Sequence, residues 1–243
     1  MASDFIHGTT VCLLPLHKAA AGFSILYSRL LYFIMAAVSA AVLSVTDCSG
    51  RDRTFSYRGF SGGMMLHAGY VSGKPFEIIQ DGSVAGVCKV EGAAYGIGGL
   101  AKFHFGTAAD QLRLGIEGYS TNVGYTPHGS YASTGWGGLT VDYIRQAEKG
   151  RVSPFVGVTV GGGGTKNHVM IGGDSSDFAT ESAFVFRRYT FMAIAPFIGI
   201  EISVGKRLRI VAKADYLLHA ASRVPDFPSG VRLYFGLLFC RYR

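Results

Sequence analysis

The sequence has few charged residues. Only 16% of its 243 residues are Asp, Glu, Lys or Arg, where soluble proteins have about 25%, and the mean hydropathy is positive at +0.28. A disordered chain is excluded, because such chains are polar and rich in charge. A coiled coil is excluded, because it requires sustained heptads. The composition therefore predicts either an unusually apolar β protein or a membrane protein.

Long apolar runs and clustered cysteines are also missing. After residue 49 no run of about 18 apolar residues occurs, so no transmembrane helix is predicted there. The four cysteines include no CxxC pair, which excludes a zinc motif and a disulfide framework; at most one incidental disulfide is expected. The seven histidines lack HExxH spacing, so no metal site is predicted. Residues 96–101 match the loose GxGxxA dinucleotide fingerprint, but they lie inside a predicted strand, so no cofactor is predicted.

The N-terminal region differs from the rest of the chain. Lys18 and Arg29 precede an apolar run at residues 30–37, and small residues follow at 38–40. A basic region, an apolar stretch and small residues two apart are typical of a secretory signal. The other interpretation is an uncleaved membrane helix, because residues 19–46 are largely apolar. The predicted organisation is a signal peptide or apolar leader at 1–48, a short tail at 49–60 and a main domain at 61–243.

From residue 61 onward, apolar residues recur at every second position. Leu112 and Leu114, for example, point to one side of their segment, and Arg113 and Glu117 point to the other. Period two is the mark of a β-strand with one apolar face. Pro196 lies in the middle of one such segment, which requires either a β-bulge there or different strand bounds. The pattern predicts eight strands, near residues 61–71, 94–105, 111–121, 130–145, 151–162, 188–204, 207–219 and 230–241.

The predicted connections alternate between short and long. About two to five residues join strands 2 to 3, 4 to 5 and 6 to 7, whereas about eight to 25 residues follow strands 1, 3, 5 and 7. An up-and-down barrel in an outer membrane has this arrangement, with short periplasmic turns and longer outer loops. An even number of strands also places both termini on the periplasmic side. The predicted fold is all-β: an eight-stranded antiparallel up-and-down transmembrane β-barrel preceded by the N-terminal signal segment.

The stripes opposite the apolar ones carry many of the charges. If the apolar stripes face lipid, these charges face the lumen, where they are tolerated only when paired and hydrogen-bonded. Their signs nearly balance, which favours a lumenal salt-bridge network over a solvated sheet face. Glycines on both stripes are typical of a tightly curved barrel. The predicted lumen network comprises Lys102, His104, Arg113, Glu117, Asp142, Glu201, Arg209, Lys213, Asp215 and Arg232, with His67 as a further candidate.

Tyrosines and the single tryptophan fall mostly near predicted strand ends or loops. Such positions are typical of the aromatic girdles at the two membrane interfaces. The girdle candidates are Tyr95, Tyr119, Tyr131, Trp136, Tyr143, Tyr189, Tyr216 and Tyr234.

Residues 61–243 resemble the small outer-membrane β-barrel proteins of OmpA or OmpX type and the porin-like families around them. The resemblance rests on the strand pattern, the loop alternation and the last strand. It implies an outer-membrane location, contact with outer-membrane lipid, a monomer, and a C-terminal strand that the barrel-assembly machinery reads. Val231 to Phe239 fits that strand, but residues 240–243 follow, so the terminal residue is not the aromatic one that the strict signal requires. Nucleic acid is not predicted as a partner, because the net charge of +7 is spread thinly along the chain.

Three classes of function stay open at this level. The first is a barrel with a filled, charged lumen that acts as a structural anchor, as a surface-interaction protein through loops at 72–93 and 163–187, or as a narrow channel; it is not an enzyme. The second is a lipid-modifying barrel enzyme, since such enzymes use His with Ser or an acid. The third is a soluble lipocalin-like barrel that binds an apolar ligand. The candidate residues for the enzyme are His67, His104 or His219 with Ser133 or Glu117.

Overall fold

The computed structural model describes residues 56–80, 83–126, 129–146, 151–170, 184–220 and 226–242. The predicted leader at 1–48 and residues 49–55 of the predicted tail lie outside these segments. Within them, no helix is long and apolar enough to cross a membrane. The described elements are β1 (Ser56–Ser72), β2 (Phe76–Gln80), β3 (Ser83–Cys88), β4 (Glu91–Gly106), β5 (Asp110–Tyr125), β6 (Ser130–Arg145), β7 (Val152–Met170), β8 (Phe184–Ser203), β9 (Leu208–His219) and β10 (Ser229–Tyr242).

Eight of the strands form a closed ring. The order around the barrel is β1-β10-β9-β8-β7-β6-β5-β4, and every neighbouring pair is antiparallel. The chain therefore runs up and down around the wall, and β10 closes it by pairing with β1. β2 and β3 form a separate two-stranded hairpin in the connection from β1 to β4. The predicted all-β, eight-stranded up-and-down barrel is confirmed.

The strands extend further than the sequence pattern predicted. β1 begins at Ser56, so residues 56–60 of the predicted tail belong to the barrel. The predicted loop at 72–93 contains the hairpin, and β7 and β8 take up much of the predicted loop at 163–187. The connection after β5 shrinks to residues 126–129, so the strict alternation of short and long connections does not hold there.

Glycine explains the largest of these differences. Residues 161–164 are four consecutive glycines, which show no apolar alternation, and the predicted loop at 163–187 begins among them. In the structure they continue β7 and pair with β6 on one side and β8 on the other. A Cβ at Gly161 would lie 2.1 Å from the carbonyl oxygen of Gly137. Glycine here permits a close approach of two strands, as a tightly curved wall requires.

The β-bulge, one of the two alternatives at Pro196, is wrong. Pairing of β8 with β9 joins Ile194 to Leu218 and resumes with Phe197 opposite Asp215, so the register does not shift. Pro196 pairs normally with Val158 on β7. Proline has no N–H to donate, and the β8–β9 ladder accommodates it through a local gap without an inserted residue.

The wall sorts its residues in the opposite sense to a soluble protein. Leu233, Phe235 and Phe239 on β10 are 62%, 61% and 65% exposed on the outer face. Arg232 on the same strand is buried inside. Contiguous apolar surface of this kind marks a lipid or protein contact, and a buried arginine requires a partner. A lipocalin-like soluble barrel needs an apolar interior and a polar exterior, so the structure does not support that alternative.

Two glycines of β6 provide a test of the wall geometry. A Cβ at Gly138 would lie 2.2 Å from the carbonyl oxygen of Val160, whereas a Cβ at Gly135 would have no atom within 4 Å. We expect Gly138→Val to destabilise the barrel by about 1–3 kcal/mol, because the backbone must move. Gly135→Val is the matched control and should fold normally. The measurement is the heat-modifiable gel band and the urea midpoint in detergent; equal midpoints for the two variants would contradict this packing.

Candidate functional site

The structure places all ten predicted lumen residues inside the barrel. Each of them is buried, as is His67 on β1. They come from six strands. Each strand can contribute because every second position along it faces inward. The contributions are Lys102 and His104 from β4, Arg113 and Glu117 from β5, Asp142 from β6, Glu201 from β8, Arg209, Lys213 and Asp215 from β9, and Arg232 from β10.

Five of these residues form one chain of alternating charges, which we call the lower network. Asp142 accepts hydrogen bonds from Lys102 Nζ and Arg113 Nε, both at 2.5 Å. Arg113 also donates through Nη1 to Glu201. Glu201 accepts a further bond from Arg209 Nη1 at 2.9 Å. Each carboxylate thus lies between two cations, which offsets part of the cost of removing it from water.

A second group, the upper network, joins β5 and β7 to β9 and β10 across the lumen. Lys213 Nζ donates to both oxygens of Glu117, at 3.1 and 2.9 Å, and Thr159 Oγ1 donates to Glu117 at 2.5 Å. Arg232 forms a two-point contact with Asp215, through Nε at 2.9 Å and Nη2 at 3.0 Å. Lys213 and Asp215 approach to 4.0 Å, so the two pairs are linked.

Aromatic rings fill the space between the charges. Lys213 Nζ lies 4.5 Å from the ring centre of Tyr234 and 4.7 Å from that of Phe197. The guanidinium of Arg232 lies 5.0 Å from the Trp136 ring. Rings at these distances attract a cation electrostatically. The interior is a packed core of ion pairs and aromatic rings.

The aromatic girdle prediction is wrong for four residues, one of which is Tyr189, whose ring packs against the buried interior cluster. Tyr119, Trp136 and Tyr234 are buried in the lumen, and Tyr119 packs against the other two with ring centres 6.1 and 4.7 Å away. Parity was the signal that could have placed them, because Tyr119 lies on the same stripe as Arg113 and Glu117. Tyr95 and Tyr131, by contrast, are exposed on the outer face.

The predicted catalytic histidines do not meet their predicted partners. His67 Nε2 is hydrogen-bonded to Thr121 Oγ1 at 2.9 Å, and His219 packs on the Phe227 ring. Ser133 faces outward, on the opposite side of the wall from the inward His67.

His104 has a serine partner that the sequence pattern did not suggest. Its Nε2 lies 2.7 Å from Ser61 Oγ, and its Nδ1 lies 2.9 Å from Gln111 Oε1. A serine, a histidine and an orienting acceptor are the components of a nucleophilic triad. Here Ser61 and His104 are both 0% exposed, and Tyr242 packs its ring 5.4 Å from that of His104. The arrangement therefore connects β1, β4 and β5 without access for a substrate.

The β2–β3 hairpin covers the end of the barrel opposite the termini. Its residues Phe76, Ile78 and Cys88 are buried and belong to one cluster with inward residues of the wall. Burial of these apolar side chains stabilises the hairpin's position on the wall. The wall residues of this cluster are Val71, Ala94, Val123, Tyr125, Ala132 and Val169.

A second contact closes the same end at Asp226, before β10. Asn167 Nδ2 donates to Asp226 Oδ2 at 2.5 Å, and Tyr189 donates to the Asp226 carbonyl oxygen at 3.1 Å. Arg187 approaches the carboxylate to 3.4 Å and lies 6.0 Å above the Phe76 ring. Arg187 thus joins this corner to the hairpin. Burial raises the pKa of the Asp226 carboxyl, and the nearby Arg187 opposes that rise.

Other chemistry finds no site in the described segments. Within them, no three His, Cys, Asp or Glu residues are grouped so as to hold a metal ion. Cys88 and Cys240 are buried and unpaired with each other. Cys12 and Cys48, the other two cysteines, lie outside the described residues.

Comparisons with known proteins find similarity among solved structures. No family model matches the chain, and no curated protein matches it. One similar solved structure is Ail, the attachment invasion locus protein of Yersinia pestis, in complex with the heparin analogue sucrose octasulfate. Its TM-score is 0.46 and its identity 12%, and the match covers 75% of this chain and 99% of that one. Neisserial surface protein A has a TM-score of 0.44 and 13% identity, over 74% and 96% of the chains. The outer membrane protein AlkL has a TM-score of 0.43 and 11% identity, over 80% and 95%.

The Arg232–Asp215 pair tests whether the lumen charges depend on each other. Arg232→Met leaves Asp215 buried without its two-point partner, and we expect a loss of about 3–5 kcal/mol in unfolding free energy. Arg232→Met combined with Asp215→Leu should recover much of that loss, because a buried pair replaced by apolar residues is often neutral. The measurement is urea unfolding in detergent. Additive losses in the double variant would show that the pair is not coupled.

The Asp226 corner should depend on pH. Because the folded pKa is raised above its ordinary value of 3.8, the folded corner is favoured while Asp226 is protonated. This contribution is present below pH 3.8 and is lost as the pH rises through the raised pKa. Hydrogen-exchange protection of the Ser229 amide, which donates to the Phe227 carbonyl, should fall over that rise after correction for the intrinsic exchange rate. Asp226→Asn should remove the dependence and Asp110→Asn should keep it; protection that rises with pH would refute the assignment.

Proposed function

We propose that this protein is an outer-membrane β-barrel that is closed to solutes and serves as a membrane anchor for its loop end. The observation that carries the proposal is the filled lumen. An eight-stranded barrel has an interior just wide enough for side chains. Here that interior is occupied by paired charges and aromatic rings, and Lys102, Arg113 and Asp142 are all buried within it.

The outer face supports the membrane location. On β5, Leu114 and Ile116 are exposed, and on β10 the exposed residues Val231, Leu233 and Phe235 continue the same band. A lipid-facing apolar band around a polar interior is the pattern of outer-membrane barrels. A ring without an edge also satisfies the backbone hydrogen bonds that a bilayer would leave unpaired.

The connections support one orientation. The turns at 107–109, 146–151 and 204–207 lie at the same end as the first residue of β1 and the last of β10. In outer-membrane barrels the short turns and the termini are periplasmic. The hairpin and the Asp226 corner then lie at the cell surface. We further propose that the barrel is a monomer and that the assembly machinery engages β10, whose outward stripe ends at Phe239.

The hairpin presents the surface that is available for interaction. One of its faces is buried against the wall, as described above. Ile79, Val84 and Val87 on the hairpin are instead 65%, 59% and 64% exposed. Exposed apolar residues of this density favour contact with another molecule. A surface-interaction role therefore fits the structure better than a transport role.

Planar-bilayer conductance tests whether the barrel is closed. The purified, refolded protein should show no steady conductance, because both networks block the lumen. A variant with residues 76–88 replaced by a short Gly-Ser linker should also stay closed, because the barrier lies in the lumen and not in the hairpin. Discrete ion-selective steps in the wild type would overturn the proposal in favour of a narrow channel. Steps that appear only after removal of the hairpin would make the hairpin a gate.

Cell fractionation tests the location. The folded protein should partition with the outer membrane and show a heat-modifiable gel band. A protein that stays monodisperse in detergent-free buffer would refute the membrane assignment.

A further inference from the structure

A groove of about 670 Å³ lies on the outer face of the wall across β5 to β8. Its floor is formed by Gly135 and Gly164, which are register partners on β6 and β7. Ser120 and Thr190 continue this row on the neighbouring strands. The groove exists because these positions carry small side chains. Outward positions nearer the turns carry branched side chains instead.

Two cations border the groove on its loop side. Lys166 and Arg188 are exposed register partners on β7 and β8, and Ser133 lies opposite Lys166 on β6. Like charges directly opposite each other destabilise a sheet. Among the described residues, no carboxylate belongs to the groove lining. An anion held between Lys166 and Arg188 would turn that repulsion into two charge-assisted contacts.

The residues around the groove follow the order expected at a membrane interface, from aromatic and charged residues to apolar ones. Beyond the two cations, the outward ring of His168 stacks on Tyr131 with centres 4.2 Å apart and meets Phe186 at 4.7 Å. Aromatic rings at this level are typical of a membrane interface. On the other side of the groove the outer face becomes apolar, with Leu139 and Val160 exposed. From the loop end toward the turn end, a ligand that spans the groove therefore contacts aromatic rings first. It then contacts the cations and hydroxyl groups, the glycine backbone, and finally an apolar surface.

We propose that this groove binds a phosphorylated lipid of the outer leaflet, with its phosphate between Lys166 and Arg188 and an acyl chain along the glycine floor. The proposal rests on the proposed outer-membrane location and orientation, which place the loop end in that leaflet. Ser133 and Thr190 supply hydroxyl donors to the headgroup. The glycine floor lets the chain approach the backbone before it reaches Leu139 and Val160.

The test uses the full-length protein refolded in a neutral detergent, with native mass spectrometry of retained lipid. The probes are lipid A with its phosphates, the same lipid after removal of the phosphates, and phosphatidylcholine. Lipid A with phosphates should be retained and the other two should be lost on mild activation. Lys166→Gln combined with Arg188→Gln should reduce retention at least about tenfold, because the variant removes both charge-assisted contacts to the phosphate. Arg145→Gln combined with Arg241→Gln, which removes two exposed outward cations at the turn end, is the matched control and should retain lipid as the wild type does.

A second variant separates a lipid site from a simple anion site. Gly135→Val combined with Gly164→Val fills the floor and keeps both cations. It should fold, because a Cβ at Gly135 meets nothing within 4 Å and one at Gly164 meets its nearest atom at 3.5 Å. Lipid A retention should fall in this variant. Inorganic phosphate at millimolar concentration should not displace lipid A from the wild type.

Each result bears on one proposal. Equal lipid A retention in the wild type and in the Lys166/Arg188 variant would overturn the lipid site. The lipid site would also be overturned if phosphate abolished retention while the valine variant retained lipid A fully. A heat-modifiable gel band is recorded for every sample. A wild type that fails to fold into detergent or bilayers contradicts the outer-membrane proposal itself, whereas a folded protein without lipid preference contradicts the groove assignment alone.

Discussion

The rest of the structure depends on the closure of the backbone hydrogen-bond ring. A wall that faces lipid has no water to satisfy its N–H and C=O groups, so an open sheet edge is not tolerated. Pairing of β10 with β1 removes the edge. Closure at eight strands makes the interior narrow, and period-two alternation sends every second side chain into it. Arg113, Glu117 and Lys213 therefore share one small volume, where they are stable only as partners.

The lumen network in turn restricts the strand register. A slip of one residue would turn the whole inward stripe toward lipid. On β9 such a slip would expose Arg209, Lys213 and Asp215 to hydrocarbon and bring Ile210 and Ala212 inside. The pairs on the observed register are mutually consistent, since Asp215 faces Arg232 on β10 and Lys213 reaches Glu117 on β5. The charges contribute specificity of pairing even where their net contribution to stability is small.

Closure also determines where interactions can occur. The described lumen holds paired charges and aromatic rings, and the hairpin and the Asp226 corner contact the wall at the end opposite the termini. What stays accessible is the outside: the apolar face of the hairpin and the groove between the lipid band and the loop-side rings. The long strands β7 and β8 carry this outer surface past the apolar band, which is why the groove contains both glycine and cations.

Which side chains face inward could be predicted from the residue pattern, because parity along a strand is a local property. All ten predicted lumen residues lie inside, and the number of barrel strands was predicted correctly. Parity also applied to Tyr119, which was nevertheless expected in a girdle. Partners could not be predicted, since Arg113 and Glu201 are 88 residues apart and meet only across the closed ring. The glycines at 161–164 carry no apolar signal, and their role as strand depends on contact with β6. Pairing, close backbone approach and the hairpin's cover over the end opposite the termini are contacts between distant segments, so these features come from the folded chain and not from any local pattern.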